Sequence, residues 1–458
     1  MMGKAVRWTV FVVCAVALGA AAGAFAWAFF FLMNRGIELM WGTLPGALGS
    51  PVWYPVVMCA AGGLAIGLFA KRFGDYPEGL NEVLGKVKRD SRYEYDHMGA
   101  SFFGALLPLL FGGSIGPEAG LTGVIAGLCT WVGDRLRFLG AEFRELSSVG
   151  VSAVVSAIFS APLFGLAVPL VGSADGASDA RGEMQLRVPR ATKTAVYLCA
   201  VAGALGMMML LGDLFGTGGG LPRFSGIEVG AYELAWGVPL ALAGAAAGAL
   251  YLASGVVVGT VARAMGDRPV VKALVAGIAL GCAGMFLPFA MFAGEEQAIE
   301  LEQVWTSLGA GVLIVTCLVK VVATQVCLGF GWRGGHFFPI IFAGISLGYG
   351  FAALTGADAV FCLCACTAGL LGCVMRQPIM VALLLFLCFP VKGVLVMLAA
   401  AAIGAAVPVP RSWLGEQGAK GAKGKQDADA QAGGAEGERV AEGVEGERAA
   451  DAQAEARG

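Results

Sequence analysis

Glu118 is the residue in this chain most able to do chemistry. It stands in Gly112-Gly113-Ser114-Ile115-Gly116-Pro117-Glu118-Ala119-Gly120 and is the only charged side chain between Asp96 and Asp134. The surrounding run is apolar and reads as membrane-embedded, where a lone carboxylate costs several kcal/mol unless it lines water or has a partner. Gly116-Pro117 cannot continue a helix, because proline lacks an N–H and clashes with the preceding turn. The chain is expected to break there and restart with Glu118, Ala119 and Gly120 in a new first turn. Three unpaired N–H groups and the positive end of a helix dipole then converge on one spot. That spot suits an anion. The plain structural alternative is that Glu118 merely caps its own helix, as acids in first turns do.

A second interruption lies at Gly331-Trp332-Arg333-Gly334-Gly335-His336-Phe337-Phe338-Pro339, with no further charge from Arg333 to Asp358. Glycines again allow unusual backbone angles, and a long apolar helix is expected to follow. Interrupted segments at matching places in two halves point to a ligand site at the membrane midplane. No cluster of acids accompanies the two breaks, so the ligand inferred is a small anion.

The elements that carry these breaks follow from composition. The 458 residues are 57% hydrophobic and 14% charged, with a mean hydropathy of +0.75. This is the balance of an all-α, polytopic membrane protein. Apolar runs long enough to span occupy 8–33, 52–70, 194–212, 231–262, 270–293 and 337–356. Stretches 98–133, 146–172, 303–333 and 358–408 are apolar but broken, giving an expectation of about twelve to sixteen membrane helices, some re-entrant. Residues 8–33 follow Lys4 and Arg7, yet the run is too long for a signal peptide and reads as a first membrane helix. The 71 glycines are mostly explained by close helix packing through small residues.

Two apolar halves, about 34–190 and 194–408, flank a polar segment at 173–193. From 409 onward the chain is Ala, Gly, Glu, Lys and Gln with little apolar periodicity, which reads as a disordered cytoplasmic tail. Lys4, Arg7, the basic loop 71–95 and Arg135, Arg137 and Arg144 belong on the inside; Glu295, Glu296, Glu300 and Glu302 suit the outside. Both termini are thus expected in the cytoplasm. A net charge of −2, without a basic patch interleaved with aromatics, gives no reason to expect nucleic acid. The twelve cysteines lie in apolar segments and read as free thiols. Cys362, Cys364 and Cys366, at i, i+2 and i+4, do not share a helix face, so no metal is expected there. With two histidines, no His-Glu-x-x-His and no Ser/His/Asp constellation, an enzyme is not expected.

At this point the motifs resemble those of the CLC family of chloride channels and transporters. Gly113-Ser114-Ile115-Gly116-Pro117-Glu118-Ala119-Gly120 looks like its Gly-Ser-x-Gly-x-Glu-Gly-Pro motif, and Gly334-Gly335-His336-Phe337-Phe338-Pro339 matches Gly-Gly-x-Phe-x-Pro. Ser160-Ala161-Pro162-Leu163-Phe164-Gly165, Met375-Arg376-Gln377-Pro378 and the degenerate Gly74-Asp75-Tyr76-Pro77-Glu78 are weaker matches. Together they run in order across about residues 50–408.

The resemblance implies a CLC-type fold of two inverted-topology halves, a homodimer, and an anion pathway within each subunit. Glu118 takes the place of the gating glutamate. Gly116, Ala119, Gly120, Gly335, His336, Phe337 and Gly74 line the anion sites, and Pro117, Gly334 and Pro339 mark the helix breaks. The transported ligand is chloride or a similar small anion, with no cofactor and no soluble partner. The absence of a large soluble C-terminal domain suits a bacterial inner membrane.

The chain departs from the family's pattern in several places. The gating motif ends in Gly120 rather than Pro. The family's site serine falls on Gly74, which removes a hydroxyl donor. The inner proton-relay glutamate of the exchangers is replaced by Gly172, and no Tyr follows Tyr349 to serve as the central tyrosine. The reading therefore leans toward channel-like or weakly proton-coupled anion movement. A proton-coupled antiporter of chloride or fluoride is the alternative, and a non-conducting scaffold or sensor is the alternative of another class. His336 is expected to contribute its backbone rather than its ring. Lys320 is read either as snorkelling or paired, or as a source of positive potential; Arg376 is placed at a helix end.

Overall fold

The computed structural model describes residues 4–79, 83, 86, 93–135, 190–216, 222–386 and 388–413. The motif at Ser160–Gly165, the place of Gly172, most of the polar segment between the halves and the tail beyond Trp413 lie outside the described residues. Those described from Lys4 to Pro408 belong to one compact unit.

That unit is helical, and among the described residues there is no β-strand, only an isolated bridge between Gly116 and Gly335. In chain order the helices are α1 (Lys4–Ile37), α2 (Tyr54–Phe73), α3 (Met98–Leu110), α4 (Glu118–Arg135), α5 (Arg190–Phe215), α6 (Ala231–Ala264) and α7 (Pro269–Phe286). There follow α8 (Glu295–Val304), α9 (Ala310–Gly329), α10 (Phe337–Thr355), α11 (Ala359–Met375), α12 (Pro378–Leu385) and α13 (Val394–Ala406). Seven helices are long and apolar enough to cross a membrane, and four shorter apolar ones accompany them among the described residues. The protein is an integral membrane protein. The run expected over 270–293 is cut at Leu287-Pro288, where α7 ends and a 3-10 turn Pro288–Ala290 begins.

Helices pack as α1 with α5, α2 with α7, α6 with α11, α9 with α10, α10 with α11, and α11 with α13. Small residues set these approaches. A Cβ on Gly63 would overlap the Ala273 backbone, and one on Gly277 would overlap Cys59, so α2 and α7 touch main chain to main chain. The same holds for Gly244 against Cys366 and Gly369 against Ala241, between α6 and α11. Between apolar helices in a membrane, such close van der Waals packing is the main source of association. Helix α10 is deeply enclosed, buried at every position from Phe337 to Gly350. It is the element that presents its N-terminus to the first break.

Candidate functional site

The first break begins where α3 ends. Gly112 takes a positive φ of 82°, a conformation that glycine adopts without a Cβ penalty. Its N–H donates to the Leu109 carbonyl at 3.2 Å, and the next N–H, of Gly113, donates to Pro108 at 2.8 Å. Gly113 then lies against the ring of Trp332, and Ile115 fills the space beside Gly334. Chain direction reverses between the two breaks, and they pair. The Gly116 N–H donates to Gly335 O at 2.8 Å and the Gly335 N–H to Gly116 O at 2.7 Å. These two reciprocal bonds satisfy buried backbone groups that neither broken helix could satisfy alone.

Beyond the bridge both chains enter helices. Pro117 accepts the first bond of α4, from Leu121 N at 3.0 Å, so Glu118, Ala119 and Gly120 form its first turn. On the other side His336 is the N-cap of α10 and Phe337 its first residue. Pro339 lies inside that first turn, where its missing N–H breaks no intrahelical bond.

The Glu118 side chain turns across to the facing helix. The Phe337 N–H donates to Glu118 Oε1 at 2.8 Å, and the Phe338 main chain acts on the same carboxylate. The residue has no exposed surface, and Oε2 is buried without a hydrogen-bond partner. A Cβ on Gly116 or on Gly335 would overlap this carboxylate, so both glycines are needed for their lack of a side chain. Glu118 is therefore more than a cap on its own helix: besides its own backbone, its carboxylate meets the N-terminus of another helix, where the dipole favours negative charge.

The structure thus brings together Gly116, Pro117, Glu118, Gly334, Gly335, His336 and Phe337, with Ala119 buried beside them and Gly120 packed on Ala105. Gly74 lies elsewhere. It is the exposed C-cap of α2 at φ 90° and lines a small cavity with Asp75, Gly331 and Arg333. The His336 ring stacks on Tyr251 of α6 at 6.2 Å and lies 4.4 Å from the Phe337 ring, which makes it a packed ring.

Several contributors had no sequence signal that named their partner. Ser114 Oγ and Thr324 Oγ1 share a 3.1 Å hydrogen bond that ties the first break to α9. Trp332 is fully buried and donates from Nε1 to Ala273 O at 2.9 Å, pinning the second break to α7. Arg333 pairs with Asp75 at 2.6 Å. Lys320 does not snorkel. It is fully buried, and its ammonium donates to the carbonyls of Met291 at 2.6 Å, Phe292 at 2.7 Å and Phe289 at 3.3 Å, with the Phe342 ring 4.9 Å away. The loop it holds also meets the first break, through Phe292 N to Gly112 O at 3.0 Å. Of the acids assigned to an outer loop, Glu296, Glu300 and Glu302 are exposed but Glu295 is buried. Arg376 is the left-handed C-cap of α11 and donates to the carbonyls of Ala405 and Val407 at the end of α13.

The family described as voltage gated chloride channel matches residues 62–408. The ion-transport protein YfeO of Escherichia fergusonii is 27% identical over 328 residues, covering 68% of this chain and 71% of that protein. YfeO of an Escherichia coli strain is 28% identical over 352 residues, covering 73% and 77%. Among solved structures, a slow cyanobacterial Cl-/H+ antiporter aligns with a TM-score of 0.69 at 17% identity, covering 86% of this chain and 94% of that one. A CLC-type fluoride/proton antiporter aligns with a TM-score of 0.66 at 16% identity, covering 86% and 95%.

Proposed function

The chain belongs to the voltage gated chloride channel family, and from that membership we propose that it moves chloride or a similar small anion along a route gated by Glu118. One observation carries this reading: the Glu118 carboxylate accepts the Phe337 N–H at the start of α10. An ionised carboxylate and a free halide need the same donors, so they compete for one place. Protonation, or displacement by an anion, removes the carboxylate's hold and frees the site. The amides of Phe337 and His336 line it from one side, with Gly335 and Gly116 leaving room, and those of Ala119 and Gly120 line it from the other.

Transport is channel-like or weakly coupled to protons in this reading. Gly172 stands where an inner carboxylate would relay protons, and no tyrosine follows Tyr349. The second reading, a proton-coupled antiporter of chloride or fluoride, draws on the two solved antiporters of similar fold. The working unit is a homodimer in a bacterial inner membrane with both termini in the cytoplasm. It needs no cofactor and takes chloride as its transported ligand.

Purified protein in liposomes, followed with chloride and proton electrodes, tests the proposal. Chloride efflux that accelerates as pH falls, and becomes fast and indifferent to pH in Glu118→Ala, supports the gate. Stoichiometric uphill proton movement driven by a chloride gradient favours the antiporter. No flux in either protein leaves a scaffold or sensor.

A further inference from the structure

Glu295 is a buried carboxylate that the gate as described does not use. It opens α8, directly after Gly294, whose φ of 108° turns the chain. A Cβ on Gly294 would strike the Phe342 side chain of α10, so this turn is seated against the helix that holds the gate. The preceding loop is fixed from two sides, by Lys320 on its carbonyls and by Phe292 N on Gly112 O. Glu295 is 3% exposed, and its Oε1 is buried with no hydrogen-bond partner. An acid in the first turn gains from the helix dipole, but a buried, unpartnered oxygen carries a desolvation cost that the dipole does not remove.

The Glu118 carboxylate lies within electrostatic reach of Glu295. Because that carboxylate occupies the donors at the start of α10, an anion in its place bears on Glu295 in the same way. We propose that Glu295 is a proton-binding regulator of the anion site: protonated, it admits a small anion, and ionised, it repels one. This rests on the reading of the Phe337 donors as an anion site.

Burial, then the Glu118 and Glu296 carboxylates, push the Glu295 carboxyl up to about 8. The charged groups around it can be named by element. Glu118 of α4 acts on it electrostatically, as does its neighbour Glu296 on α8. Lys320 on α9 is a cation bound to the loop before Gly294. On α10 the titratable groups are the N-cap His336, stacked on Tyr251, and Tyr349, whose ring lies on Trp305 beyond the far end of α8. Like charges repel, so raising pH past the point where Glu295 ionises must weaken anion binding.

The test uses chloride itself, titrated calorimetrically into purified protein from pH 6 to pH 9.5. Glu118→Gln removes the competing gate charge and isolates the effect. Its chloride affinity is expected to fall roughly tenfold across this range, the scale of a like-charge repulsion inside a protein. The double variant E118Q/E295Q is expected to hold a flat affinity, with Glu295→Ala in the same background as a second neutral variant; thermal melts check that each is folded. An affinity in E118Q that does not change with pH overturns the role of Glu295 and leaves the anion site standing. A fall that survives in both double variants belongs to another titrating group and overturns it as well. No chloride binding at any pH overturns the site and the regulator together.

Discussion

The main-chain N–H of Phe337 donates to the carboxylate of Glu118 across 219 positions of sequence, at 2.8 Å. The two residues open two different helices, α10 and α4, whose broken ends pair through Gly116 and Gly335. An acid at the start of its own helix thus also caps the opposite one. The consequence is a negative side chain parked on donors that a free anion would also seek, and the following expectations derive from that arrangement.

Gly335→Ala places a methyl group where the Glu118 carboxylate now sits. The carboxylate has to leave the Phe337 N–H. Chloride efflux from liposomes at neutral pH is expected to rise severalfold and to lose its acceleration by acid, approaching Glu118→Ala. Efflux with the acid response of the unaltered protein counts against the gate.

Lys320→Met deletes the cation that Met291, Phe292 and Phe289 share. The carbonyls left behind are buried at Met291 and part-buried at Phe289 and Phe292, so the loss is expected to be about 1–3 kcal/mol. It should appear as a lower melting temperature in detergent. Because the same loop bonds Gly112, the variant should also slow gated efflux at acid pH. An unchanged melt shows that the loop is held by other contacts.

Trp332→Phe removes the Nε1–H bond to Ala273 and leaves a gap in a fully buried pocket. The expected cost is about 1–3 kcal/mol from the missing bond and the cavity together. Thermal unfolding of the detergent-solubilised protein measures it, with Trp305→Phe, at a less buried position, as the control that should move less.

Glu295 gives the fold a pH dependence of definite sign. Its carboxyl rises from an ordinary 4.5 to about 8 through burial and its acidic neighbours. Between these values the folded protein keeps a proton that the unfolded chain has lost, so stability falls as pH rises from about 4.5 to about 8, then levels. Melting temperatures of Glu295→Gln should decline less over that window than those of the unaltered protein. Parallel curves for the two would remove Glu295 from the account.

The membrane character, the two interruptions and the standing of Glu118 were legible from residue type alone. Each is a local property. Apolar runs must be helical because the bilayer core offers no water to satisfy a backbone, Gly116-Pro117 must break a helix, and a lone carboxylate in such a run demands a reason. The sequence also placed Phe337 at the head of a helix, through Gly334, Gly335 and the apolar run after Pro339.

Pairing was not legible. Nothing in the order of residues says that Gly116 bonds Gly335, that Lys320 turns inward to three carbonyls, or that Glu295 is buried while Glu296 is exposed. The same acidic run suits a solvated loop by charge count, and only the seat of Gly294 on Phe342 turns one of its members inward. Partners of a buried charge are chosen by where distant helices cross, and the crossings are set by close packing at many small residues at once. Local chemistry therefore fixed which groups needed partners, and tertiary structure decided which partners they received.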